Sequence, residues 1–147
     1  MTIARVSAAV VLAVVAAGQI AQAQTDSPSN PLVGTWTLTS LINKDANGNR
    51  THPWGVKPAG IFIFGPDGHF AEIIINEEKA NASLDYFGTY SVDNGKILRL
   101  HVVGSSAPQF RGKDIERQIT LSGDQLSYGN TNPSVGGSAA LTWEHMK

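Results

Sequence analysis

The sequence predicts an all-β protein that folds as an eight-stranded antiparallel up-and-down β-barrel. Two observations indicate this class: eight short segments rich in β-branched and aromatic residues, and glycine, proline, asparagine and aspartate turn signals between them. No helical pattern is long enough to cover a sheet. Eight strands in one domain can close on themselves, which removes exposed strand edges and leaves room for one small ligand.

Residues 1–23 have the pattern of an export signal. A short positive start ends at Arg5, an apolar run covers residues 6–17, and Ala21 and Ala23 form a small-x-small cleavage site. The alternative is a membrane anchor, but the apolar run is short for a bilayer span and ends in small and polar residues. We therefore expect cleavage before Gln24, a periplasmic or secreted location, and no stable membrane insertion after cleavage.

The remaining chain divides into a flexible polar lead-in over residues 24–31 and one domain over residues 32–147. There is no cysteine, which excludes disulfides and thiolate metal sites. Loss of Arg5 from the 11 basic residues leaves ten against 12 acidic ones, with no basic run. This balance argues against nucleic acid as a partner.

The first strand is predicted at "TWTLTSLIN", residues 35–43. The clearest hairpin joins "GIFIF" (60–64) to "HFAEIII" (69–75) through Gly-Pro-Asp-Gly. A second joins "DYFGTYSV" (85–92) to "ILRLHVV" (97–103), and a third joins "DIERQITL" (114–121) to "QLSYG" (125–129). "AALTWEH" (139–145) is the eighth strand.

Catalytic and cofactor motifs are missing from the sequence. The four histidines lie in four different elements without paired metal-ligand spacing, and there is neither a Gly-x-Ser-x-Gly elbow nor a phosphate loop. We therefore predict no metal and no cofactor. Acid–base chemistry by one inward histidine, carboxylate or tyrosine stays open.

Four stretches resemble, in order, the lipocalin-like domain family of small bacterial and fungal proteins. They are "LVGTWTLTS", "PAGIFIFGPDGHFAEI", the segment from "YFGTYSV" to "SGDQL", and "LTWEH", and the resemblance spans residues 32–145. It implies an eight-stranded calyx with an internal cavity, and no particular activity. One departure is His145, which stands where many members have arginine, so any anion contact made by that arginine is in doubt.

Alternation along the strands assigns side chains to the inside or outside of the barrel. The resemblance places Trp36 inward. Arg117 lies in an apolar row of its strand, where it needs a carboxylate, carbonyls or an aromatic face. The favoured interpretation, a device familiar in lipocalin-like barrels, is structural: Arg117 stacks on Trp36 and closes the barrel floor. The alternative is that Arg117 binds an anionic group of a ligand.

The remaining candidates are assigned less directly. Trp143 is predicted as cavity wall or core, and Tyr90 as either a wall tyrosine or an outward one. The aliphatic row of its strand puts His101 outside, whereas the resemblance puts a histidine of this position in the cavity. The favoured assignment of Glu72 is solvated, because Ala71, Ile73 and Ile75 form the aliphatic row of its strand, and the alternative is an inward acid. Trp54, in a loop between two prolines, forms either a lid or a plug at one end.

Three functions are compatible with these features. The favoured one is an exported calyx that binds a small apolar or amphipathic molecule, with Arg117, Trp143, Tyr90, His101 and Trp54 as candidate ligand-binding residues. The alternative is a small cofactor-free enzyme, a cyclase, isomerase or hydrolase, acting in the same cavity. A third is an interaction scaffold, which predicts an exposed apolar patch in place of a cavity.

Overall fold

The structure, a computed structural model, describes residues 30–79 and 81–147, so the predicted export signal lies outside the described residues. Within these residues nine strands form one antiparallel sheet in the order β2-β1-β3-β4-β5-β6-β7-β8-β9, and pairing of β1 with β9 closes it. The eight predicted strands are all present, and β2 is a two-residue addition that pairs with the end of β1. The predicted eight-stranded barrel is therefore confirmed.

The strands are β1 Gly34–Lys44, β2 Arg50–Thr51, β3 Ala59–Phe64, β4 His69–Ile75, β5 Ser83–Asp93, β6 Ile97–Ser105, β7 Asp114–Ser122, β8 Gln125–Asn130 and β9 Ser138–His145. The three predicted hairpins are β3–β4, β5–β6 and β7–β8. A 3-10 turn, Pro108–Phe110, precedes β7. The described residues contain no helix with the length and apolar character that a membrane span requires.

The up-and-down order places the three hairpin turns at one end of the barrel and the longer connections at the other. At the hairpin end the indole Nε1 of Trp36 donates to the carbonyl of Leu32 at 2.8 Å, and both residues are buried. Nearby, the hydroxyl of Tyr90 donates to the carbonyl of Gly65 at 2.9 Å. These contacts close that end, which we call the floor.

Large apolar side chains fill the barrel above the floor. Phe62 packs against Phe64 and against Trp143, with ring centroids 4.1 and 5.4 Å apart. Phe62 and Trp143 are fully buried, as are Leu98 and Leu126. Close packing of this kind supplies most of the folding free energy in a domain without disulfides. Any space for a ligand must therefore lie towards the other end, which we call the mouth.

The inward face of β4 is the opposite of the one predicted. Phe70, Glu72 and Ile74 are buried, whereas Ile73 and Ile75 are about two-fifths exposed. Phe70 pairs directly with Phe64 on β3. Because paired residues of neighbouring strands point to the same side of the sheet, the inward direction of Phe64 also sets that of Phe70, Glu72 and Ile74. The prediction that Glu72 is solvated was therefore wrong, because both rows of β4 are apolar enough to face a core and the hairpin register decides between them.

A β-bulge in β1 changes which residues face inward. Trp36 and Leu38 face the interior, the register against β9 shifts between Leu38 and Ser40, and Leu41 and Asn43 then continue the inward row. The extra residue in the bulge reverses the alternation of the strand beyond it. Asn43 is consequently 2% exposed, although simple alternation from Trp36 would put it outside.

Candidate functional site

A small cavity lies inside the barrel at its mouth. Its volume is about 30 Å³. A cavity needs at least roughly 10–15 Å³ to hold one water molecule, so this one suits a small group of a few heavy atoms. It is lined by Leu41, Asn43, Trp54, Glu72, Ile74, Leu84, Tyr86, Phe110, Arg117, Tyr128, Asn130, Pro133, Ser134, Ala139 and Leu141.

A buried carboxyl group with two tyrosines forms one wall of the cavity. Glu72 on β4 is 1% exposed and accepts a hydrogen bond from the hydroxyl of Tyr86 on β5. The hydroxyl of Tyr128 on β8 lies 3.2 Å from Glu72 Oε1 and 3.3 Å from Oε2. Tyr86 and Tyr128 are buried, so both oxygens of Glu72 have donors supplied by the protein.

Burial raises the pKa of Glu72 from its ordinary value of 4.5 to about 7. Removal from water disfavours the ionised form, and this outweighs the hydrogen bonds from the two tyrosines and the charge of Arg117, which favour it. Burial and the nearby Glu72 carboxylate likewise raise the pKa values of Tyr86 and Tyr128 well above 10. The tyrosines therefore act as donors near neutral pH.

Arg117 on β7 lies in the inward row, as its strand pattern predicts, and lines the same cavity as Glu72. Its positive charge lowers the pKa of Glu72, although no direct ion pair joins the two side chains in the described part of the chain. Arg117 Nη1 donates to the carbonyl of Glu116 at 3.0 Å. Its buried Nε–H has no hydrogen-bond partner among the described residues.

Asn43 adds a second unpaired polar group to the cavity wall. Both its Oδ1 and its Nδ2 are buried without a partner among residues 30–79 and 81–147. An unpaired buried polar group costs about 1–3 kcal/mol of folding free energy. Asn43 thus presents one acceptor and two amide hydrogens at the cavity, side by side on one planar group.

The predicted stacking of Arg117 on Trp36 is not present, because the two residues lie near opposite ends of the barrel. Trp36 is at the floor, where its indole meets the imidazole ring of His145 edge-on, with centroids 4.7 Å apart. Arg117 is at the mouth with Glu72. The sequence did not predict that Arg117 shares a cavity with Glu72, because Glu72 was assigned to the outside of the barrel.

The other sequence-predicted candidates do not come together. Trp54 lines the cavity and packs against the core, in the manner of the plug alternative. Trp143 is buried in the core against Phe62, and Tyr90 belongs to the floor. His101 lies on the outer face of β6, where its Nδ1 is 2.7 Å from Asp114 Oδ1 and half of its side chain is exposed.

Several residues of the cavity were missed at the sequence level. Tyr128 alternates with the apolar Leu126 in "QLSYG", a signal that could have placed it inward. Phe70 and Ile74, which flank Glu72 at two-residue spacing, carried a similar signal for the carboxylate. Nothing comparable marks Asn43, since its direction depends on the bulge in β1.

Comparison with known proteins bears on the fold. The model of the family described as "Lipocalin-like domain" matches residues 33–84. A lipocalin-like protein from Bacteroides uniformis aligns with a TM-score of 0.50 at 16% identity, covering 78% of this chain and 98% of that one. A redesigned β-barrel aligns with a TM-score of 0.47 at 15% identity, covering 79% and 92%. No curated protein matches the sequence.

The fold of the Bacteroides protein and that of this chain are the same at an identity too low to transfer a function. A closed barrel of eight long strands is consistent with binding a small molecule. The order of motifs in the sequence, the family match and the closed sheet agree with one another. The chain is thus similar in sequence to the lipocalin-like domain family over residues 33–84 and folds as a lipocalin-like barrel.

Proposed function

We propose that the protein binds a small amphipathic molecule whose polar head enters the cavity at the barrel mouth. The observation that carries this proposal is the set of buried polar atoms that have no partner among the described residues and belong to residues lining the cavity: Asn43 Oδ1 and Nδ2, Arg117 Nε and Ser134 Oγ. Buried polar groups in folded proteins are nearly always hydrogen-bonded. A ligand head that pairs with these atoms recovers free energy that the unliganded fold lacks.

The size of the cavity limits what lies inside the barrel. About 30 Å³ holds a head group of a few heavy atoms and excludes the body of a larger molecule. A surface groove of about 360 Å³ lies next to it, and Phe110, Arg117 and Pro133 line both spaces. We place the body of the ligand in this groove.

The groove lies beside the first half of β7. Pairing of β7 with β8 covers only Ile119 to Ser122, so the β8 side of β7 is unpaired from Asp114 to Gln118. Ile115, Phe110 and Pro133 supply apolar contact there, and Lys113 and Glu116 make its rim polar. Such a surface suits a molecule that is apolar along its body and polar at its head.

Export is the second part of the proposal and is supported by the signal pattern of residues 1–23. The test is the mass of the protein recovered from the periplasm and medium of a bacterial host that expresses the whole chain. A mature chain that begins at Gln24 is expected. Recovery of only the uncleaved chain in the cytoplasm would refute export without bearing on binding.

The two alternatives have weaker support. An enzyme without a cofactor needs a buried acid–base cluster, such as His101 with Glu72 or Tyr90, but His101 is outside and Tyr90 is at the floor. No comparison supports an enzymatic activity. The scaffold alternative expects an apolar patch in place of a cavity, whereas exposed Phe87 and Val103 occur together with the cavity.

Binding can be tested with a matched pair of variants on β9. Ala139 lines the cavity and Ala140, the next residue, is exposed on the outer face. Ala139→Leu should fill the space for the head group, and Ala140→Leu adds the same atoms outside. Calorimetric titration with 1-octanol, octanamide and octanoate measures binding, and thermal unfolding verifies that both variants fold.

We expect at least one of these eight-carbon molecules to bind the wild-type protein with one-to-one stoichiometry. Ala139→Leu should weaken that binding at least tenfold, while Ala140→Leu should leave it within about twofold. Binding that is insensitive to Ala139→Leu, or no saturable binding of any of the three molecules, would refute the proposal.

A further inference from the structure

We infer that the head group of the ligand is a neutral amide, a primary carboxamide or a lactam, recognised by Asn43 and Arg117. This inference rests on the proposed function and names the chemical class that the same cavity selects. It depends on which hydrogen-bonding atoms are already satisfied by the protein and which are not.

The carboxyl group of Glu72 does not need a ligand. Tyr86 and Tyr128 donate to its two oxygens from inside the barrel. Three groups that line the cavity have no hydrogen-bond partner among the described residues: the amide of Asn43, which offers an acceptor and a donor on one plane, the Nε–H of Arg117, which offers only a donor, and the hydroxyl of Ser134, which can be either. A complementary head must therefore combine at least one acceptor with an adjacent donor.

An amide supplies both the acceptor and the adjacent donor in one planar group. Its carbonyl oxygen can accept from Asn43 Nδ2 and Arg117 Nε, while its N–H donates to Asn43 Oδ1. The paired hydrogen bonds between two amides are the same bidentate arrangement by which asparagine recognises the donor–acceptor edge of adenine. A carboxamide has three heavy atoms, which matches the capacity of the cavity.

Other head groups satisfy fewer of these atoms. A carboxylate has no donor for Asn43 Oδ1, and it would bring a second carboxyl group beside that of Glu72. An ammonium group has no acceptor for the Nε–H of Arg117 and would meet its positive charge. A hydroxyl is both donor and acceptor, but it is a single atom and cannot span the two ends of the Asn43 amide.

The test uses three molecules of nearly equal shape, octanamide, octanoate and 2-nonanone, which differ only in an NH₂, O⁻ or CH₃ beside the carbonyl carbon. Calorimetric titration at pH 7.5 of the wild-type protein should give octanamide the highest affinity, at least tenfold above both others, because each lacks the donor that Asn43 Oδ1 requires.

Asn43→Leu provides the second arm, since leucine is close to asparagine in shape and removes both unpaired polar atoms. The variant should fold with a melting temperature at or above that of the wild type. Octanamide should lose at least tenfold in affinity and bind no better than 2-nonanone, whose affinity should stay within about threefold. Ala140→Leu is the control variant and should prefer octanamide over 2-nonanone to the same extent as the wild-type protein.

The experiment distinguishes failure of the proposed function from failure of the amide inference. If none of the molecules binds, the proposed function fails. If octanoate binds most tightly, or if octanamide and 2-nonanone bind the wild-type protein equally, the protein is a small-molecule binder but the amide inference is overturned. The wild-type comparison alone decides this, so the inference is testable even if Asn43→Leu does not fold.

Discussion

The buried carboxyl group of Glu72 should make the stability of the barrel depend on pH in an unusual direction. Its pKa is about 7 in the folded protein and 4.5 when the group is exposed by unfolding. Between these values the native state holds a proton that the unfolded state has lost. The free energy of unfolding should therefore fall as the pH rises from about 4.5 to 7 and stay level above that range.

The size of this effect follows from the two pKa values. Each unit of difference corresponds to about 1.36 kcal/mol, so the change from 4.5 to about 7 gives a loss of ~3 kcal/mol across the window. This is a large share of the 5–15 kcal/mol that is typical of small domains. Glu72→Gln, which keeps the shape and stays neutral, should remove this part of the pH dependence.

The assay is urea unfolding at pH values from 4.5 to 8.5 for the wild type and for Glu72→Gln. The difference between the two free-energy curves isolates Glu72 from the other titrating groups and should change by ~3 kcal/mol. Glu144→Gln, on the outer face of β9, is the matched control and should follow the wild-type curve. Parallel curves for the wild type and Glu72→Gln would refute the reasoning, since Glu72 would then titrate alike in both states.

Three further predictions concern stability and are checked by chemical unfolding. Trp36→Phe should cost about 2 kcal/mol or more, because the buried carbonyl of Leu32 loses its donor and the smaller ring leaves a cavity; an unchanged midpoint would argue against the floor contact. Gly88→Ala should cost at least about 2 kcal/mol, since Gly88 lies at a bulge in β5 opposite β6, where a Cβ would collide with the carbonyl of His101, and a neutral effect would mean that the bulge relaxes. His101→Ala should change stability by less than about 1 kcal/mol and leave octanamide binding intact, because its pair with Asp114 is exposed; a loss of binding would place His101 in the site.

The fold could be predicted from the sequence because the patterns that indicate strands and turns each lie within a short stretch of the chain. Each of the eight long strands was predicted within one or two residues of its bounds, and each of the three hairpins at its turn. Strand alternation also placed Arg117 and Trp143 inward, since only one row of each of these strands is apolar enough to form a core, whereas Trp36 was placed inward by the family resemblance. Short-range periodicity and turn chemistry are sufficient for such assignments.

The residues of the candidate site could not be predicted from the sequence in the same way. Both rows of β4 are apolar, so alternation could not choose a face for Glu72, and the choice came from pairing of Phe70 with Phe64 across the hairpin. Asn43 faces the cavity because the bulge after Leu38 reverses the alternation of β1. Register and bulges depend on contacts between strands and leave little trace in the sequence of one strand.

The sequence by itself therefore determined an all-β barrel, its turns and the inward rows of the strands that have one apolar face. Only the tertiary structure decided that Glu72, Arg117 and Asn43, from three separate strands, share one cavity at the mouth. The physical reason is that a strand's periodicity specifies two faces, whereas closure of the sheet specifies which residues of different strands meet across the interior.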